Sequence, residues 1–183
     1  MKKSMPWIRC AGFLVGLAVI LGICDFCFAP SGYVRFILHE VNRKDTQYDT
    51  IILGASHARS AINPEYLDEE LGTNTLNLAI PGETVKDAYY LLKDACESND
   101  VKTVIMDVDY QYWMDEQPQG YFTEPFICQN ITNLKVKTEY LLDNWDTIDL
   151  RNVLVRRLSW DCTWSSVKQN VSTKTTEAYR EYS

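Results

Sequence analysis

A serine placed directly after a short apolar segment is the residue of this sequence best suited to chemistry. The segment Thr50–Leu53 predicts a buried strand, and Gly54, Ala55 and Ser56 follow it. In an α/β fold such a serine lies at the carboxyl edge of the sheet, where ligands bind. Its hydroxyl can act as a nucleophile, while backbone N–H groups of the turn stabilise an oxyanion. The alternative is that Ser56 only caps the following helix.

A glycine after the second predicted strand adds another element to this site. The segment Thr75–Ile80 predicts a strand, which Pro81 and Gly82 close. Because parallel strands end at the same edge of a sheet, we expect the Gly82 backbone N–H to point toward the edge that holds Ser56. The N–H groups of Ser56 and Gly82 are therefore the predicted oxyanion hole.

Together these two segments resemble the SGNH (GDSL-type) hydrolase superfamily, from about Tyr48 to Tyr112. The resemblance implies a catalytic serine at Ser56 and an oxyanion-hole glycine at Gly82. Ala55 departs from the family, which has an aspartate there. Similar departures occur in membrane-anchored relatives, such as the D-alanyl transfer protein of teichoic-acid modification and the alginate acetylation proteins, which this chain also resembles in having an anchor.

The resemblance also indicates which residues surround the serine. Asp109 stands roughly where the family has an asparagine that donates to the oxyanion, and an ionised carboxylate accepts but does not donate. Either Gln111 donates instead or the site is weakened; Asp107 and Asp109 are equally well interpreted as solvated carboxylates at a strand end. Gly54 and His57 complete the expected pocket, and we expect His57 to line it or to pack beneath the turn.

The general base of the family, the histidine of an Asp-x-x-His segment, has no counterpart in this sequence. The two histidines are His39 and His57, and the latter adjoins Ser56, where proton transfer between neighbouring side chains is seldom feasible. We therefore expect these 183 residues to be the N-terminal part of a longer protein that supplies the base, and to hydrolyse esters negligibly by themselves.

Two functions follow from these observations. The first is a membrane-anchored, extracytoplasmic serine esterase or acyltransferase that acts on ester groups of cell-envelope glycans. The second is a non-catalytic glycan-binding or scaffold protein with a degenerate SGNH-like fold. Glycans, and an acyl-donor membrane protein as partner, are implied by the resemblance alone.

The elements that must position these residues alternate between strand and helix patterns. This alternation predicts parallel strands with right-handed crossovers, hence a three-layer α/β sandwich with an incomplete flavodoxin-like sheet. The predicted strands are Thr50–Leu53, Thr75–Ile80 and Val101–Val108, and the predicted helices are Pro64–Leu71, Thr84–Ser98, Leu134–Trp145 and Ile148–Leu158. We assign residues 49–158 to this domain, with an aromatic-rich loop over 109–130 and a polar tail over 159–183.

The first 30 residues predict a membrane anchor. Residues 10–29 are apolar apart from Asp25 and long enough to span a bilayer, and Lys2, Lys3 and Arg9 precede them. The positive-inside rule then places the N-terminus in the cytoplasm and the domain outside. An uncleaved anchor is favoured over a signal peptide cut before Pro30, over a lipoprotein signal at Cys24 and over a buried core helix. Residues 31–48 form a linker, in which Tyr33, Phe36, Ile37 and Val41 predict a short helix on the membrane surface.

Composition narrows the class of protein further. The net charge of −7 disfavours nucleic acid as a partner, and 46% hydrophobic with 23% charged residues are the proportions of a folded chain. Outside the anchor only three of the six cysteines remain, so no complete disulfide framework is expected. No cysteine or histidine spacing suggests zinc, and we expect no cofactor. Asn130 and Asn170 match the glycosylation sequon, which is common by chance.

Overall fold

The protein is a mixed α/β structure with a three-stranded parallel sheet. The computed structural model describes residues 6–29, 32–108, 123–146, 148 and 162–175. The strands are β1 (Thr50–Leu53), β2 (Thr75–Asn77) and β3 (Thr103–Met106), in the spatial order β2-β1-β3. β1 pairs with both neighbours and is buried over its whole length, as expected for a central strand of a parallel sheet. A complete three-layer flavodoxin-like sandwich stays a prediction.

Eight helices lie in the part of the chain that the structure describes. They are α1 (Pro6–Phe28), α2 (Tyr33–Glu40), α3 (Ser56–Ala61), α4 (Pro64–Leu71), α5 (Val85–Ser98), α6 (Thr123–Asn130), α7 (Leu134–Asp143) and α8 (Trp164–Thr175). The helices α4, α5 and α7 were predicted from the sequence, with α7 ending two residues earlier than expected. Of the predicted helix Ile148–Leu158, only Ile148 belongs to the described residues.

The predicted helix termini are explained by their capping residues. The Asn63 side chain accepts the Glu65 backbone N–H at 3.0 Å, and Gly72, in a left-handed conformation, ends α4. At the start of α5, Thr84 and Asp87 form a capping box, in which each side chain accepts the backbone N–H of the other. These short-range hydrogen bonds fix where the helices begin and end.

The strands β2 and β3 are shorter than the predicted Thr75–Ile80 and Val101–Val108. After Asn77 the regular pairing ends, because the Asn77 side chain accepts the Ala79 backbone N–H at 3.0 Å. The N–H groups of Leu78 and Ile80 nevertheless still donate to β1 and to the residue that follows it. On β3, hydrogen bonds to β1 continue one residue beyond each end, so the difference there is only one of strand boundaries.

The helix α1 is long and apolar enough to cross a membrane. Its segment Trp7–Phe28 has a mean hydropathy of 2.3, and none of its most apolar window is buried inside the protein. A core helix of a soluble domain would instead be covered by other elements.

The side chains of β1 pack into hydrophobic clusters on both faces of the sheet. Ile51 and Leu53 belong to the larger cluster, which α2, α5, α6 and α7 cover. Ile52 belongs to a smaller cluster with Ala58 of α3 and Ala79. The central strand is thus covered on both sides, which is why its residues are apolar in sequence rather than alternating.

The helix predicted in the linker exists, but its predicted position on the membrane surface is wrong. Ile37 and Leu38 of α2, and Val41 just after it, are completely buried in the larger cluster. An apolar helix face looks the same in sequence whether it covers lipid or protein. Here the helix covers the sheet and packs against α6, so it belongs to the folded domain.

The structure differs from the prediction in two further segments, where helices replace part of the predicted loop and tail. Part of the predicted loop 109–130 forms the helix α6, while residues 109–122 lie outside the described part. The predicted polar tail contains α8, which packs against α1. The Lys174 ammonium donates to the carbonyl oxygens of Phe26 and Ala29, at 2.7 and 2.6 Å, and Asn170 donates to that of Cys27 at 3.2 Å. These bonds satisfy carbonyl groups at the end of α1.

Both glycosylation sequons have buried asparagines. Asn170 is 5% exposed and Asn130 is 6% exposed, and both side-chain amides donate to backbone carbonyls. Neither amide is accessible for glycosylation in this fold.

A buried carboxyl group joins α5 to the end of α2. Asp94 is completely buried, and one of its oxygens accepts from the Asn42 side chain at 2.9 Å. Burial raises the pKa of this carboxyl above its ordinary value of 3.8. Its neutral form is therefore the one that the fold favours.

The raised pKa of Asp94 predicts a pH-dependent loss of stability. Asp94 stabilises the fold fully below pH 3.8, and this contribution is lost as the pH rises through the folded-state pKa. Within that interval, the free energy of unfolding should fall by about 1.4 kcal/mol per pH unit relative to Asp94→Asn. Urea unfolding of both proteins in detergent from pH 3.5 to 8 measures the difference. The variant Asp100→Asn, at an exposed site, should follow the parent, and parallel curves for Asp94→Asn would contradict the assignment.

Candidate functional site

The turn after β1 requires a glycine at its first position. Gly54 has a φ of +150°, and a Cβ atom there would lie 2.6 Å from that of Ala58 and 2.9 Å from that of Asp107. The turn is therefore enclosed between α3 and the end of β3. This close packing determines where Ser56, two residues further on, emerges from the sheet.

A buried glutamate joins this turn to the one after β2. The two oxygens of the Glu83 carboxylate accept the backbone N–H groups of Gly54 and Ile80, each at 2.9 Å. Ile80 also donates to the Gly54 carbonyl at 3.0 Å, which extends the pairing between β1 and β2. Glu83 is only 5% exposed, so its negative charge is balanced mainly by these charge-assisted hydrogen bonds. The two turns are held side by side at the carboxyl edge of the sheet.

Ser56 begins α3 and is exposed at this edge. The N-cap position belongs to Ala55, and no side chain caps the helix. Neither the hydroxyl nor the amide of Ser56 is hydrogen-bonded to another described residue. The interpretation of Ser56 as a helix cap is therefore not supported, and its hydroxyl is available to a ligand.

Of the other predicted site residues, Gly82 and His57 belong to the described part of the chain, whereas two do not. Gly82 lies in the turn between β2 and α5 with a φ of +78°, and is thus at the same edge as Ser56. His57 is exposed, so the expectation that it packs beneath the turn is wrong. Asp109 and Gln111 lie outside the described residues. The roles of Ser56 as nucleophile, and of Ser56 and Gly82 as oxyanion donors, stay predictions.

Two polar side chains that the sequence did not single out for these roles hold α3 in place. Asn77, at the end of β2, donates to the carbonyl oxygens of Ala58 and Ile62, both at 3.2 Å. Tyr33 of α2 donates through its hydroxyl to the Asn77 carbonyl at 3.0 Å. The helix that begins with Ser56 is thereby tied to β2 and, through Tyr33, to α2.

The aromatic ring of Tyr33 supports a charged residue of α3. The Arg59 guanidinium carbon lies 4.1 Å from the centre of the ring, a cation–π distance. Burial raises the pKa of Tyr33 to about 12, and the nearby negative charge of Glu83 adds to this while Arg59 opposes it. Tyr33 is therefore a neutral hydrogen-bond donor at physiological pH.

A cleft elsewhere on the domain is lined by Asn77 but not by the predicted site residues Ser56 and Gly82. It has a volume of about 230 Å³ and is lined by parts of α2, α4 and β2, including Phe36, Glu40 and Asp68. It lies on the β2 side of the sheet and contains neither Ser56 nor Gly82. Within the described ranges, no group of three or more histidine, cysteine, aspartate or glutamate residues is arranged to hold a metal ion.

The packing around Gly54 predicts a large effect of a single methyl group. Gly54→Ala should lower the free energy of unfolding by about 2–4 kcal/mol, because strain at positive φ adds to overpacking against Ala58 and Asp107. Gly72→Ala is the matched control, since Gly72 has a φ of +66° but open space around it. That variant should lose only about 1 kcal/mol. Urea-unfolding midpoints compare them, and equal losses would contradict the close packing.

The Glu83 hydrogen bonds predict a second sensitive position. In Glu83→Gln an amide –NH₂ replaces one acceptor oxygen, so one of the two buried backbone N–H groups faces a donor instead of an acceptor, although the Ile80 N–H keeps its bond to the Gly54 carbonyl. The expected loss of stability is about 2–4 kcal/mol. Glu69→Gln, at an exposed position in the middle of α4, should change stability by less than about 0.5 kcal/mol. A Glu83→Gln variant as stable as the parent would show that Glu83 does not join the two turns.

Comparison with known proteins adds no relative from which function could be transferred. No family model, no curated protein and no solved structure matches this chain. The interpretation of the site therefore depends on the residues and geometry described above.

Proposed function

We propose that the protein is a membrane-anchored, extracytoplasmic serine esterase or acyltransferase of the SGNH type, acting on ester groups of cell-envelope glycans. The observation that carries this proposal is the exposed hydroxyl of Ser56, which has no hydrogen-bond partner among the described residues. It lies at the carboxyl edge of the sheet, beside the glycine turn that Glu83 holds next to it. An exposed hydroxyl at that edge is suited to attack a bound ester.

The proposed reaction has two steps. The Ser56 oxygen attacks the ester carbonyl, its proton passes to an imidazole base of the kind that the SGNH resemblance implies and that these 183 residues do not supply, and the negative charge on the carbonyl oxygen is held by the N–H groups of Ser56 and Gly82. The protonated alcohol leaves, and an acyl-enzyme remains. Water or a glycan hydroxyl then attacks the acyl group, which regenerates Ser56 and gives an acid or a new ester.

The fold supports this assignment in its arrangement of strands. The order β2-β1-β3 is the order of the first three strands of a flavodoxin-like sheet, and β1 has hydrophobic clusters on both faces. We infer that the domain belongs to the three-layer α/β sandwiches. Their ligands bind beyond the carboxyl ends of the strands, which is where Ser56 lies.

A non-catalytic glycan-binding or scaffold role is the second candidate. The observation that favours it is the lack of an Asp-x-x-His segment within these 183 residues. A serine without a general base is a weak nucleophile, so the same edge could bind a ligand without chemistry. An acyl-donor membrane protein is a further proposed partner of the catalytic form.

The anchor predicts the side of the membrane on which the domain lies. Cys96 is exposed on α5 and Cys162 precedes α8, whereas Cys128 is buried. A membrane-impermeant maleimide should therefore label the protein in intact cells, because basic residues before α1 keep the N-terminus inside. The double variant Cys96→Ser/Cys162→Ser is the control and should lose this labelling. Labelling that appears only after the cells are permeabilised would place the domain in the cytoplasm.

Activation of Ser56 is tested with a fluorophosphonate probe on membranes of cells that make the protein. Trypsin cleaves after Lys44 and Arg59, and the peptide between these sites contains Ser56 as its single serine. We expect the probe on this peptide and expect Ser56→Ala to abolish it, because only an activated serine displaces fluoride at a useful rate. Ser60→Ala, in the same helix, should leave labelling unchanged. An unlabelled peptide would favour the non-catalytic role.

A further inference from the structure

An arginine with unused hydrogen-bond donors stands next to the candidate nucleophile. Arg59 follows Ser56 by three residues in α3, so the two side chains emerge one turn apart on the same side of the helix. Both residues are exposed. A group bound at the Ser56 hydroxyl is therefore within reach of the Arg59 guanidinium.

The Arg59 guanidinium is held by stacking and not by an acid. Its contact is with the ring of Tyr33, at 4.1 Å, and it makes no hydrogen bond or ion pair with any other residue in the described part of the chain. The ring is itself fixed, because its hydroxyl donates to the Asn77 carbonyl. Stacking orients the planar guanidinium and leaves its edge N–H groups open to an acceptor.

Arg43 shows the contrasting arrangement in the same protein. Its guanidinium donates to Glu40 at 3.0 Å and to Asp45 at 2.7 Å, so its donors are occupied by neighbouring carboxylates. In a chain of net charge −7, acidic partners for an arginine are plentiful. That no acidic residue in the described part of the chain pairs with Arg59, beside a candidate site, is the feature that suggests a ligand.

We propose that Arg59 is an anion-binding subsite that selects substrates with a phosphate or carboxylate group close to the reacting ester. The guanidinium binds such groups through two parallel N–H···O bonds, which a neutral substrate cannot form. Anion binding itself is independent of catalysis, whereas the selection of substrates requires that Ser56 act as proposed.

The binding arm uses inorganic phosphate and the full chain in detergent micelles at constant ionic strength. In ¹⁵N-labelled protein, the Nε–H signal of Arg59 should shift saturably with phosphate, and that of Arg43 should not. Arg59→Gln should weaken binding, followed at the Ser56 and His57 amides, by about tenfold or more, and Arg59→Lys should restore part of it. Arg43→Gln should bind as the parent does. No saturable shift, or equal binding by Arg59→Gln, overturns the subsite.

The substrate arm compares two nitrophenyl esters, the neutral acetate and the succinate monoester with one free carboxylate. The parent and Arg43→Gln should prefer the charged ester in kcat/KM, and Arg59→Gln should lose about tenfold of that preference, measured as the ratio of the two kcat/KM values. A preference that survives in Arg59→Gln overturns the selection of substrates. If neither ester is turned over while phosphate binding is lost in Arg59→Gln, the anion-binding subsite stands, and the fluorophosphonate label on Ser56 decides the esterase proposal, because a chain without its base is expected to turn over esters negligibly.

Discussion

The buried carboxylate of Glu83 is the interaction on which the candidate site depends. Its two oxygens accept N–H groups from two different turns, one after each of two paired strands. An ionised carboxylate is costly to bury, and this cost is offset because both oxygens receive charge-assisted hydrogen bonds. The spacing of the Ser56 turn and the Gly82 turn is therefore fixed by the Glu83 side chain together with the Ile80–Gly54 backbone hydrogen bond. A site that must stabilise an oxyanion needs such fixed spacing between its backbone donors.

The position of the membrane helix relative to this site follows from a second set of contacts. Tyr33 touches Arg59 and Asn77, yet it lies only four residues after Ala29, at the end of α1. Four residues of extended chain span at most about 14 Å, so the Ser56 edge lies close to the end of the anchor. The helix α8 binds the same end through Lys174 and Asn170.

The sequence predicted correctly those strands and helices that are specified by residues close to each other in the chain. The buried run of β1, the Asn63 and Gly72 ends of α4 and the Thr84 cap of α5 are specified by residues within a few positions of each other, and all three elements were predicted. The helix α8 was not predicted, because its sequence lacks an apolar stripe. It binds α1 through polar side chains to carbonyl groups, an arrangement that periodicity cannot reveal.

The candidate site was predictable only in part. Ser56 and Gly82 could be placed at one edge, because strand ends and glycine turns are visible in sequence. Glu83 could not be identified, since a glutamate near a helix start is usually solvated and nothing in the local pattern marks it as buried. The position of the Arg59 guanidinium depends on its contact with Tyr33, which is 26 positions away in the chain. Long-range partners of this kind require the fold.

Hydrogen exchange of the Gly54 and Ile80 backbone amides tests the central role of Glu83 most directly. Both amides lie beyond the ends of the strands, where unbonded N–H groups exchange quickly. If Glu83 binds them, they should exchange as slowly as the amide of Leu78, which donates to β1. In Glu83→Ala, which removes both acceptors, protection of the Gly54 amide should fall selectively, while the Ile80 amide, which also donates to the Gly54 carbonyl, and the Leu78 amide should stay protected. Rapid exchange of Gly54 and Ile80 in the unaltered protein would contradict the account.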